Sequence, residues 1–267
     1  MTTLADVFAR AREEGRAALI GYLPAGYPSQ RGCIDALTAM VDAGVDIVEV
    51  GFPYSDPLMD GPTIQAAVDR SLAGGTGPHD VLATAEAVAA TGAATLVMSY
   101  WNPIERYGIE RFARDLAAAG GAGVITPDLI PDEAEPWLDA VAAADLTTVF
   151  LVAPSSTEAR IRRVAQVSTG FVYAAAVMGV TGARDAVSDA AGDLVHRVRG
   201  VSDRPVAVGL GVSTGDQAAT VAGYADGVIV GSAFVRRLLD APDDKAGVAA
   251  VAELAGELAA GVRRTSA

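Results

Sequence analysis

The chain has 267 residues, 51% of them hydrophobic, and a formal charge of −13 from 20 basic and 33 acidic residues. That length suits one large α/β domain over residues 1–267 rather than two small ones, with apolar material for a sizeable core. The acidic balance, without a run of Lys or Arg, argues against a nucleic-acid partner, and the lone Cys33 leaves no disulfide framework or thiolate metal site, as in a reducing cytosol.

In chain order, residues 4–14 read as an extra N-terminal helix across the bottom of the fold. Residues 17–25 are apolar but follow Glu13 and Glu14, so they read as a strand and not as a signal peptide. Strands are expected at residues 18–22, 47–50, 95–99, 123–125, 147–152, 171–174, 206–208 and 227–230. Helices lie between them. One covers residues 29–43, with Ser29 as N-cap and Gly44 as its stop. Pro131, Asp132 and Glu133 open another, with acids in its first turn. Residues 158–166 form a short Arg-rich helix, and residues 246–263 a closing helix after a polar break at 241–244. The uncharged stretch 164–183 is broken by Gln, Ser, Thr and Gly, unlike a membrane span.

Eight strands about 20–30 residues apart, each followed by a helix, predict a (β/α)₈ TIM barrel with a parallel eight-stranded sheet. The strands are near-continuous apolar runs, as parallel strands buried on both faces should be. The alternative, an open doubly wound sheet, lacks its G-x-G-x-x-G turn after the first strand.

Residues 48–65, V-E-V-G-F-P-Y-S-D-P-L-M-D-G-P-T-I-Q, carry the clearest chemistry. Glu49 stands inside an apolar strand, where a charge costs several kcal/mol unless solvated, paired or protonated. Either it is a general acid/base with a raised pKa at the barrel mouth, or a structural ion pair there. Asp60 and Asp56 share the next loop, stiffened by Pro53, Pro57 and Pro62. That rigidity would aim one carboxylate inward, although Ser-Asp-Pro and Asp-Gly are also ordinary turn pairs.

Two glycine-rich junctions follow the seventh and eighth strands: residues 208–213, V-G-L-G-V-S, and residues 230–234, V-G-S-A-F. Such loops let backbone N–H groups and a helix N-terminus approach a phosphate, though glycine is common at any strand-to-helix corner. Residues 177–184 have the small residues and glycines of a lid, or of a plain connection. Lys245 is the only lysine and lies in the polar break, so a Schiff-base aldolase has no plausible amine. His79 and His196 are separated and pair with no cysteines, which argues against a catalytic zinc site. Both read as surface or packing residues, and Cys33 as helix packing. Carbon–carbon cleavage here would have to run on carboxylates, with a leaving group that absorbs electrons itself.

Over nearly its whole length the sequence resembles the tryptophan synthase α subunit family. Residues 48–65 carry the strongest resemblance. Residues 100–104, 127–129, 151–157, 179–182 and 225–232 extend it in order. The resemblance implies a lyase that splits indole-3-glycerol phosphate into indole and glyceraldehyde 3-phosphate in tryptophan biosynthesis. It places Glu49 on the main acid/base and Asp60 on the second acid, which holds the indole N–H. It places Tyr22, Ile64, Met98 and Ile125 along the indole pocket, Tyr173 beside the substrate, and Thr181 as the loop threonine coupling a lid to Asp60. Gly182, Leu210, Gly211, Gly231 and Ser232 fall on the phosphate cradle. Asp56, Asn102 and Pro103 are expected to face a pyridoxal-phosphate-dependent β subunit, in a cytoplasmic heterotetramer, with no cofactor in this chain. The sequence departs from the commonest family pattern at Pro24 to Pro28, at Ala176 and Val177, and at Met59. These departures bear on the lid and on partner communication rather than on the acids.

Overall fold

A computed structural model describes residues 2–176, 184–209 and 211–264. The elements run α1 (Leu4–Glu13), β1 (Ala18–Pro24), α2 (Gln30–Asp42), β2 (Ile47–Gly51), α3 (Pro62–Ala73), α4 (Pro78–Ala89), β3 (Ala94–Met98), α5 (Trp101–Tyr107), α6 (Ile109–Ala118) and β4 (Gly123–Ile125). They continue with α7 (Glu135–Ala143), β5 (Thr147–Val152), α8 (Glu158–Val167), β6 (Val172–Ala175), α9 (Arg184–Arg199), β7 (Val206–Gly209), α10 (Gly215–Ala222), β8 (Gly227–Val230), α11 (Ser232–Leu239) and α12 (Asp244–Val262). The eight strands close in sequence order, every neighbouring pair parallel, and β8 returns to β1. This is the expected (β/α)₈ barrel, with α1 before it and α12 closing it.

Side chains alternate between two layers, as the period-two pleat requires. In β1, Ala18 and Ile20 join the barrel interior, while Leu19 and Leu23 pack outward beneath the helices. In β2, Ile47 points inward, and Val48 and Val50 point outward. Glu49 is therefore inward by register, two residues above Ile47. The interior is plugged from below by α1, which buries Leu4, Val7, Phe8 and Ala11. The ring of Phe8 meets Phe171 edge-on at 5.7 Å between centroids. Each such buried side chain contributes about 1.5–3 kcal/mol, so Phe8→Ala would open the barrel floor. Thr3 and Asp6 form a capping box that starts α1 there.

Ser29 caps α2 through Gly32 N–H at 3.0 Å, and Gly44 ends it at φ +110°. Cys33 in this helix is fully buried, as its packing role required, and burial pushes its thiol up to about 12. One helix start differs from expectation. Pro131 to Glu133 form only a 3₁₀ turn, and the α-helix begins at Glu135. Pro136, without an N–H, cannot continue an earlier helix and instead opens α7 in its first turn. Two of the connections are also longer than one helix each: α3 and α4 lie between β2 and β3, and α5 and α6 between β3 and β4. Among the described residues, no helix is long and apolar enough to cross a membrane.

Candidate active site

At the C-terminal end of the strands, Tyr22, Glu49, Met59, Asp60, Ile64, Met98, Leu151, Tyr173, Ala175, Gly209, Gly211, Ile229, Gly231 and Ser232 line one cavity of about 200 Å³. The strand residues in it are inward positions at or just above the top of the interior plug. Barrel enzymes place their chemistry at this end.

Glu49 is 1% exposed, and its Oε1 has no hydrogen-bond partner among the described residues. Burial without a compensating cation pushes its carboxyl up to about 8, so it is mostly protonated at neutral pH. The ion-pair alternative raised from its sequence position is not what the structure holds: no salt bridge to Glu49 occurs among the described residues.

Asp60 enters from the loop before α3. Pro62 at the helix start holds that entry, and Gly61 N-caps α3 without a side-chain bond. The Gln65 side chain donates to the Asp60 carbonyl at 2.6 Å, and the Tyr100 hydroxyl donates to Asp60 Oδ1 at 3.2 Å. Burial raises the Asp60 carboxyl, and the Tyr100 hydrogen bond opposes that rise. Two carboxylic acids with different surroundings thus share one cavity.

Two tyrosines flank them. Tyr22 is the register partner of Glu49 across β1 and β2, and Tyr173 stands on β6. Burial raises both phenols, so they stay neutral. Each ring lies over a glycine of a neighbouring strand, Gly51 for Tyr22 and Gly209 for Tyr173, where a Cβ would collide with it. Beyond β8, beside Tyr22, Gly231 N-caps α11 without a side-chain bond, and Gly211 after β7 adopts φ +69°. The first N–H groups of α11 therefore open toward the cavity beside Ser232, which suits an anion.

Several expected site residues converge here: Tyr22, Glu49, Asp60, Ile64, Met98, Tyr173, Gly211, Gly231 and Ser232. Ile125 is fully buried but lies off the cavity wall. It packs in the interior plug with Val149, its register partner on β5, one layer below Leu151. Thr181, Gly182 and Leu210 lie outside the described residues, as does most of the expected lid. Leu151, Ala175 and Ile229 also line the wall, with no site role expected of them, as do Met59 and Gly209, the latter within the glycine-rich corner 208–213. Counting two residues on from an inward neighbour finds three of them: Val149 to Leu151, Tyr173 to Ala175, and Ala207 to Gly209. Tyr100 was overlooked because its contact with Asp60 spans 40 residues of sequence.

A second, larger groove of about 690 Å³ lies on the rim, lined by Phe52, Tyr54, Asp56, Asn102, Pro103 and Arg106 among others. It brings together Asp56, Asn102 and Pro103. Leu58 is 76% exposed and Met59 48%, on the loop beside it. Although larger, this groove holds neither Glu49 nor Asp60, both of which line the smaller cavity. His79 packs edge-on against Tyr107 at 6.2 Å, a packing role.

A closed parallel barrel with a buried acid, a second acid on the adjoining loop and an uncapped helix end at its mouth defines an α/β-barrel enzyme of the proton-transfer type. The comparisons with known proteins give the particular one. The family model described as tryptophan synthase alpha chain matches residues 8–263. The chain is 60% identical to the tryptophan synthase alpha chain of Thermobifida fusca (strain YX), over 98% of both chains. It is 61% identical to that of Salinispora arenicola (strain CNS-205), again over 98% of both. Among solved structures, Mycobacterium tuberculosis tryptophan synthase in space group F222 superposes with a TM-score of 0.91 at 54% identity, covering 99% of this chain and all of that one. Tryptophan synthase subunit alpha from Legionella pneumophila str. Paris gives 0.89 at 29% identity, covering 98% of each. The chain belongs to the tryptophan synthase alpha chain family, the indole-3-glycerol phosphate lyase subunit of tryptophan biosynthesis.

Proposed function

We propose that Glu49 and Asp60 together perform the retro-aldol cleavage. The observation that carries this is the burial of Glu49 in the same cavity as Asp60 and the glycine-lined wall of Gly211 and Gly231. With its carboxyl pushed up to about 8, Glu49 starts protonated and can act as an acid at neutral pH. It protonates indole C3. Positive charge develops on the ring nitrogen, where ionised Asp60 accepts the N–H hydrogen bond. The Glu49 carboxylate then takes the proton from the side-chain hydroxyl. The bond from C3 to the side chain breaks, its electrons restore the aromatic ring, and the alcohol carbon becomes the aldehyde. The net proton transfer is from hydroxyl to C3, and Glu49 ends protonated as it began. The step uses no Schiff base between substrate and a lysine, consistent with a single lysine, Lys245, far along the chain.

Tyr22, Ile64 and Met98 offer the apolar surface that an indole ring would bury, and Tyr173 stands across the cavity from Glu49. Gly211, Gly231 and Ser232 supply backbone donors for the phosphate. Gly182, Leu210 and Thr181 complete the cradle and lid by family resemblance, with Ile125 backing the indole pocket from the layer below. The rim groove holding Asp56, Asn102 and Pro103, with exposed Leu58 next to it, suits the β subunit, which would carry the pyridoxal phosphate and receive indole. This chain would then need no cofactor of its own, and the pair would assemble as a cytoplasmic heterotetramer.

The test is indole formation from indole-3-glycerol phosphate by the purified chain, with and without a β subunit, for wild type and Glu49→Gln. Indole from wild type and none from the variant supports the reading. Equal rates for the two would remove Glu49 from the mechanism, and activation of a β subunit without indole formation would make this chain a regulatory subunit.

A further inference from the structure

Tyr100 stands at the N-cap of α5, 4% exposed, its ring tilted against Tyr54 at 5.5 Å. Its hydroxyl has two partners. The Met59 N–H donates to it at 3.0 Å, and Asp60 Oδ1 lies 3.2 Å away. A phenol has one proton. The amide can only donate, so the hydroxyl accepts there and directs its own proton at Asp60. That arrangement requires an acceptor at Oδ1, which the ionised carboxylate provides, and leaves Oδ2 for the cavity. The Asp60 main chain is fixed separately by Gln65. The base of Tyr100 is fixed in turn, because Asp128 accepts from Trp101 N–H at 2.9 Å and so anchors the start of α5.

We propose that Tyr100 is the positioning residue for Asp60: its hydroxyl holds one carboxylate oxygen, turns the other toward the substrate, and ties the acid to the start of α5. This rests on the two-acid reading above. The groups around Asp60 are Tyr100 from the β3–α5 junction, Tyr22 from β1 and Glu49 from β2, with Arg236 of α11 bonded to nearby Thr63. Tyr22 and Glu49 share the wall without a hydrogen bond to Asp60. Of the described groups, only Tyr100 donates to its side chain. Burial raises the Asp60 carboxyl and Tyr100 lowers it, so loss of the hydroxyl favours the protonated acid. The second consequence is geometric. Asn102 and Pro103 follow Tyr100 on α5 and line the rim groove, so a shift of α5 at the groove would move the Asp60 oxygen.

Tyr100→Phe keeps the ring and its stacking and removes one hydrogen bond. Indole formation is measured as kcat/KM against pH. The expected result is a loss of about ten-fold on the acid side, the effect of one hydrogen bond to a charged group. The loss shrinks as pH rises, and the acid limb moves to higher pH. In an Asp60→Asn background, Tyr100→Phe should cause no further loss of the residual rate. An unmoved acid limb, an equal loss at every pH, or a full extra loss in Asp60→Asn would overturn the proposal. If Tyr100→Phe does not fold, the wild-type Met59 amide resonance answers the question. It should titrate together with the Asp60 carboxyl and lose that step in Asp60→Asn, and a pH-independent signal would refute the link. Wild type that forms no indole would sink the two-acid reading itself; wild type that forms indole beside an unshifted Tyr100→Phe profile sinks only this inference.

Discussion

Tyr22 lies directly across the β1–β2 ladder from Glu49, and both side chains rise into the barrel mouth. Register partners on one face sit about 5 Å apart at Cβ, so a phenyl ring stands where a counter-ion or water would otherwise be. On the opposite wall, Tyr173 contributes a second buried ring. The acid is thus surrounded by low-dielectric groups with no cation beside it, which is why its carboxyl rises to about 8.

That value sets the pH dependence of the reaction. C3 protonation needs Glu49 in its acid form, so activity should hold below about 8 and fall as pH rises through it. Asp60 must be ionised, so an acid limb appears, moved upward from the ordinary aspartate range by burial. A bell-shaped kcat/KM profile is expected, measured as indole release. Glu49→Gln should lower kcat by at least about 100-fold, the lower bound typical of a lost general acid, with substrate still bound. A base limb that stays in place in a variant retaining most of its turnover would show that another group titrates there.

The same carboxyl links stability to pH. Its folded pKa is raised above the unfolded value of 4.5, so the contribution of the neutral form is fully present below 4.5. It is lost as pH rises through about 8, because the ionised form is disfavoured inside the barrel. Wild type should therefore lose stability between pH 5 and pH 9, relative to Glu49→Gln, by at least about 1.4 kcal/mol, the equivalent of one pKa unit. Denaturant melts of both proteins at the two pH values measure this difference, and parallel behaviour would mean that the site is well solvated.

Much of this arrangement was legible in the sequence. Glu49 stood out because a charged residue broke an apolar strand near the end that opens on a barrel mouth, and the structure adds that it shares the inward register of Ile47. Both glycine-rich corners were visible as local patterns. What sequence could not supply was the height of each residue within the barrel. Ile125 was expected on the pocket wall, yet the shear of the strands sets it level with Val149 in the interior plug. Tyr100 was hidden for a related reason: its partners Met59 and Asp60 reach it only once β2 and β3 pair. The helix after β4 was misplaced because Pro131 and Pro136 both carry a helix-start signal, and only the second begins an α-helix.

The seat of Tyr173 gives a sharper test of wall geometry. A Cβ on Gly209 would lie 2.5 Å from the Tyr173 hydroxyl and 2.9 Å from Cε1. A ring cannot yield as a flexible chain would, so it must tilt into the cavity beside Glu49. Gly209→Ala should cost about 1–3 kcal/mol of stability from overpacking. It should also lower kcat/KM for indole release by roughly ten-fold or more, as expected for a reacting group displaced by part of an ångström. Tyr173→Phe in the same background removes the closest contact and should recover part of the loss. No recovery would mean that the backbone of β7, rather than the ring, had moved.

Gly211 tests the anion wall in a way that separates strain from charge. Its φ of +69° is a left-handed conformation that an L side chain adopts at a cost of about 1–2 kcal/mol. Gly211→Ala carries that strain alone. Gly211→Asp carries it together with a negative charge facing the uncapped N-terminus of α11, where a phosphate would bind. KM for indole-3-glycerol phosphate should therefore rise more in Gly211→Asp than in Gly211→Ala, by about ten-fold for one mismatched charge pair of roughly 1.4 kcal/mol. Indoleglycerol without the phosphate should be turned over slowly and with little difference between the two variants. If both variants discriminate against the phosphorylated substrate to the same degree, backbone strain explains the whole effect, and the charge at the mouth of α11 has no part in binding.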